Sequence, residues 1–91
     1  MVLVKRLVLD ILKPHQPDAL EFSHGLAEVG SNYHVSLTVL EVDEKTESVQ
    51  VVIEADSIDF NAIQAAITNM SGSLHSIDVV EVHSTSETES C

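Results

Sequence analysis

Leu3, Lys5, Leu7, Leu9 and Ile11 alternate with Val4, Arg6, Val8, Asp10 and Leu12, so the run Leu3–Leu12 reads as a strand. It is apolar on both faces, as a central, covered strand usually is. Lys13-Pro14-His15-Gln16-Pro17 is expected to break it, with Pro17 suited to the first turn of a helix. Ala19, Phe22, Leu26 and Val29 make one helical stripe within Asp18–Val29, and Gly30 is the expected C-cap glycine. The next run, Tyr33–Asp43, is rich in β-branched residues and leads into the polar turn Asp43-Glu44-Lys45-Thr46. Alternation resumes over Ser48–Ala55, so the two runs predict a hairpin.

A second helix is signalled more sharply. Asp59 is a candidate N-cap, and Ile58 and Ile63 are placed to form a hydrophobic staple around it. Phe60, Ile63, Ile67 and Met70 repeat the helical stripe, and Gly72 is expected to end it. The last strand, Leu74–His83, carries Ile77, Val79, Val80 and Val82, whose inward members the pattern leaves ambiguous. From Ser84 the chain has no apolar residue until Cys91, which predicts one domain over 1–83 and a disordered acidic tail over 84–91.

Two strand–helix–strand copies in series, with right-handed crossovers, predict an α+β ferredoxin-like βαββαβ sandwich. Its antiparallel four-stranded sheet has the order 4-1-3-2, with both helices on one face. Simple parity puts Val4, Val8, Leu40, Val42, Val52 and Val80 on the other face. Each exposed valine or leucine forgoes roughly 1.5–3 kcal/mol of burial, so another subunit is expected to cover them, or to pair the edge strands.

Charge narrows the partners. Fifteen Asp and Glu against four Lys and Arg give a formal charge of −11, which repels phosphate backbones and anionic membranes and draws in cations. With Tyr33 the only tyrosine and no tryptophan, the aromatic platform of an RNA-binding sheet is missing. No apolar run is long enough to span a bilayer. Met1 leads straight into a strand, so no signal peptide is expected, and a cytoplasmic protein is the default. The single cysteine, Cys91, rules out an intrachain disulfide framework and a thiolate zinc site.

The candidate chemistry gathers at one end of the sheet. Asp10 ends the first strand, Glu41 and Asp43 end the second, and His75, Ser76 and Asp78 open the fourth. Asp10 and Asp78 are expected to be neighbours on adjacent strands, where like charges need a raised pKa or an intervening cation. Asp10, Asp78, Glu41, Asp43 and His75 are therefore the candidate metal ligands, for Ca²⁺ or Mg²⁺, with His15 and His75 able to tilt the preference toward a transition metal. A solvated acidic rim is the alternative. Parity is an obstacle, because Glu41 falls on the helix side and Asp10 on the open side unless a bulge intervenes. Glycine-rich phosphate loops, His-Glu-x-x-His and Gly-x-Ser-x-Gly are absent.

Three segments, Leu9–His15, Glu41–Glu47 and His75–Asp78, resemble a small archaeal family known only as a domain of unknown function. The resemblance runs from about Val2 to Val82, implies a ferredoxin-like fold and assembly into rings or larger homo-oligomers, and supplies no activity. Two functions are expected to compete. One is an oligomeric binding or regulatory module taking a cation or small ligand at the acidic end. The other is a small enzyme using Asp10, His75 and Asp78 for acid–base work. Binding is favoured, since no nucleophile or oxyanion-hole motif accompanies those residues.

Overall fold

A four-stranded antiparallel sheet in the order β2-β3-β1-β4 carries both helices on one face, the ferredoxin-like arrangement the sequence predicts. In the computed structural model the elements are β1 (Val2–Pro14), α1 (Ala19–Ala27), β2 (His34–Val42), β3 (Thr46–Glu54), α2 (Phe60–Asn69) and β4 (Ser73–Ser84). Residues 1–85 are described; of the tail predicted over 84–91, Ser84 still belongs to β4 and the Thr85 amide donates to the Met1 carbonyl, while the residues from Ser86 onward lie outside the described ones. Leu7, Leu9 and Ile11 of β1 and Val49, Val51 and Ile53 of β3 meet Phe22 and Leu26 of α1 and Ile63 and Ile67 of α2. Alternation on the central strands and stepping on the helices supply these core positions.

The start of α2 follows the sequence, whereas Pro17, expected in the first turn of α1, lies before its N-cap Asp18. Asp18 accepts from the Glu21 amide in a capping box, and Asp59 accepts from the Ala62 amide, with Ile58 and Ile63 both buried beside it. Neither helix end follows the sequence. Gly30 has no left-handed backbone; α1 stops earlier, at the Glu28 cap, and Asn32 takes the positive φ of 61°. Gly30 instead gives room to the Tyr33 ring, which would lie 2.5 Å from an added Cβ. After α2 the left-handed residue is Ser71, at φ 66°, and not Gly72. Gly72 N–H donates to the Ile67 carbonyl and Ser71 N–H to that of Thr68, a Schellman ending. Gly72 is small because Ile67 and Phe22 crowd it.

β1 also outruns its expected break. Lys13 and Pro14 stay in register with Glu47 and Thr46 of β3, so the strand ends after the proline.

Four register shifts decide the faces. Lys5 of β1, Leu40 of β2, and His75 and Asp78 of β4 each lack a direct cross-strand partner at a shift, as the extra residue of a bulge does. Directly opposed residues share a face. Val80 thus stands opposite buried Leu7, Val42 opposite Glu47 on the helix side, and Val4 packs against the core. Of the six apolar residues expected on the open face, Val8 and Val52 keep that place, and Val8 is only 6% exposed. Most exposed apolar side chains of the sheet lie instead on the edges, at Val39, Leu40 and Val42 of β2 and at Ile77, Val79, Val80 and Val82 of β4, with Val2 and Leu12 exposed on β1.

Candidate functional site

On the open face, near the end of β1 and the starts of β3 and β4, a cleft of about 210 Å³ is lined by Asp10, Ile11, Leu12, Ser48 and His75. Each strand delivers its residue by a traceable rule. Alternation from buried Leu9 and Ile11 sends Asp10 and Leu12 outward, and Ser48 stands opposite Leu12. His75 reaches the same cleft because it is a bulged residue, between Ser76 opposite Asp10 and Leu74 opposite Ile11. Among the described residues, neither the Asp10 carboxylate, the Ser48 hydroxyl nor the His75 imidazole has a hydrogen-bonding side-chain or backbone partner. A carboxylate, a hydroxyl and an imidazole facing one small space can accept from a ligand's donors and offset a positive charge.

The remaining expected residues are placed differently. Asp78 is bulged out of register, and its carboxylate accepts from the Ser76 hydroxyl at 2.8 Å; Ser76, and not Asp78, stands opposite Asp10. Asp43 sits in the β2–β3 turn, where its amide donates to the Thr46 carbonyl, and it does not line the cleft. Glu41 is moved by the Leu40 bulge to a place opposite Ser48, so it shares the open face with Asp10. Among the described residues, no three His, Cys, Asp or Glu side chains gather closely enough to hold a metal ion. No helix among them is long and apolar enough to cross a membrane.

Directly behind the cleft lies a second polar group that simple strand-break reasoning misses. Lys13 is fully buried on the helix side, with Nζ 3.0 Å from Glu47 Oε1, 2.8 Å from the Pro14 carbonyl and 5.8 Å from the centre of the Phe22 ring. The other Glu47 oxygen, Oε2, is 3.0 Å from His15 Nδ1, and His15 Nε2 is 3.0 Å from the Glu44 carbonyl. The hydrogen bond from His15, then that from Lys13, holds the Glu47 carboxyl below its ordinary 4.5, against the opposing effect of burial. Continuing the alternation of β1 by one more step makes Lys13 inward-facing, and continuing that of β3 backward does the same for Glu47. Parity was the available signal.

The sequence matches the model of the DUF211 family, described as uncharacterized ArCR, over residues 5–88. It is also 43% identical over 77 residues to the uncharacterized protein MJ0319 of Methanocaldococcus jannaschii, covering 85% of this chain and 79% of that relative.

Proposed function

This chain belongs to the DUF211 family, and because the family's description assigns no activity, we propose a function from the geometry: a binding module, assembled from identical subunits, whose open-face cleft takes a small cationic ligand. The observation that carries this reading is the group of Asp10, Ser48 and His75 around about 210 Å³ without protein partners among the described residues. Polar groups in a concave site without partners are the usual signature of ligand recognition. The formal charge of −11 favours a cation. A hydrated divalent ion or a small organic amine fits the volume and the donor set. One carboxylate and one imidazole would leave a metal several positions for water, as Mg²⁺ commonly has.

Assembly rests on the edges. Among the described residues, β2 and β4 end the sheet with unpaired backbone groups, and Leu40, Val42, Val80 and Val82 are exposed. A second copy of the chain covers both features at once by strand pairing.

Calorimetric titration of the metal-free protein with Ca²⁺, Mg²⁺, Mn²⁺ and a small primary amine tests the cleft. One of these is expected to bind the parent below millimolar concentration and to lose affinity in Asp10→Asn. If none binds, or if Asp10→Asn binds equally well, the reading fails. Light scattering tests assembly: a mass near 9.9 kDa at micromolar concentration refutes it, while Val80→Lys is expected to weaken any larger species.

A further inference from the structure

His15 lies in the connection between β1 and α1, and both of its ring nitrogens face acceptors. Nδ1 is 3.0 Å from the Glu47 carboxylate of β3, and Nε2 is 3.0 Å from the Glu44 carbonyl in the β2–β3 turn. A neutral imidazole has one N–H and one lone pair, so it satisfies only one of these acceptors and points a lone pair at the other. An imidazolium satisfies both. Glu47 itself does not depend on His15 for its place, because its other oxygen is bound by the buried Lys13 ammonium. Lys13 and Glu47 thus form a fixed post, and His15 is the removable link between that post and the turn.

We propose that His15 is a proton-operated clasp: charged, it ties the β2–β3 turn to the β1–α1 connection, and on losing its proton it lets the turn go. The surroundings favour the charged form. The hydrogen bond to Glu47 raises the His15 pKa above its ordinary 6.5, followed by the bond to the Glu44 carbonyl; the Asp43 carbonyl and the Glu47 charge act the same way, and burial opposes them. The groups facing the ring are therefore Glu47 of β3 and the Asp43 and Glu44 carbonyls of the turn, with the Lys13 charge of β1 behind Glu47. The side chain is 40% exposed, so the proton exchanges with solvent without unfolding. The clasp stands on these contacts alone and does not depend on what the cleft on the other face binds.

An NMR titration of the full chain through neutral pH reads both partners at once. The His15 ring signals are expected to titrate with a midpoint above 6.5, and the amide signals of Glu44, Lys45 and Thr46 to move with the same midpoint. Above it, hydrogen exchange of those amides, corrected for its intrinsic pH dependence, is expected to speed up while that of Val51 in the core stays slow. His15→Gln should abolish this pH-dependent component, and Glu47→Gln should draw the His15 midpoint back toward 6.5. Turn amides that ignore the His15 midpoint, or that keep following it in His15→Gln, overturn the proposal. Should Glu47→Gln fail to fold because it strands Lys13, the comparison of the parent with His15→Gln still decides.

Discussion

Leu12 and Lys13 are consecutive on β1 and stand opposite Ser48 and Glu47 on β3, yet at this end of the sheet the polar groups on its two sides are treated in opposite ways. On the helix side both charges of this end are answered: Lys13 by Glu47 and the Pro14 carbonyl, Glu47 by Lys13 and His15. On the open side Asp10, Ser48 and His75 surround a cleft and, among the described residues, answer to nothing. Burial explains the first case, since an ammonium removed from water is tolerated only with a counter-charge and hydrogen bonds. Water explains the second, because a half-buried carboxylate that solvent still reaches is satisfied without a protein partner and so stays free for a ligand. Family-like motifs contribute residues to both sides, and so motif membership alone does not separate structural from functional residues.

The largest effect is expected from breaking the satisfied side. Lys13→Met should lower stability by about 2–3 kcal/mol, the scale of hydrogen bonds to charged groups, read from the urea midpoint. A neutral or stabilising result, as when apolar residues replace a buried ion pair, would show that the network is dispensable and erase the contrast.

pH acts on the same side in two directions. The Glu47 carboxyl is held below 4.5, so its contribution is present above that value and is lost as pH falls through its folded pKa. The His15 imidazole is raised above 6.5, so its contribution is complete below that value and is lost as pH rises through its folded pKa. Both are in full between about 4.5 and 6.5. Urea midpoints measured across pH should peak in that window, and His15→Gln should remove the decline on its alkaline side.

A smaller gain is expected where α2 hands over to β4, the strand that carries His75. Ser71 holds a left-handed backbone at φ 66°, which a side chain resists, so Ser71→Gly should stabilise by about 0.5–1 kcal/mol. A loss of stability there would mean that the serine has a role beyond its backbone. The smallest change should come from the cleft: Asp10→Asn is expected to alter stability by less than about 0.5 kcal/mol, whatever it does to ligand affinity. A large destabilisation would make Asp10 structural and would remove the asymmetry between the two faces.

Element order, the start of α2 and the inward residues of the central strands were legible along the chain alone. Those signals are local: a stripe at Phe60, Ile63 and Ile67, a cap at Asp59, alternation at Val49, Val51 and Ile53. The sequence also carried the family, through motifs that resembled an archaeal domain of unknown function and that the DUF211 match bears out. Which face each edge residue occupies was settled only by how the strands pair. A bulge at Leu40, His75 or Asp78 is one unpaired residue, and whether a residue is unpaired depends on the strand beside it. The same holds for Lys13 and Glu47, 34 residues apart. Each could be read as solvent-exposed in its own segment, and Lys13 became a buried ammonium paired with a half-buried Glu47 only when β1 and β3 aligned, because a charge's burial is a property of what surrounds it and not of the segment that carries it.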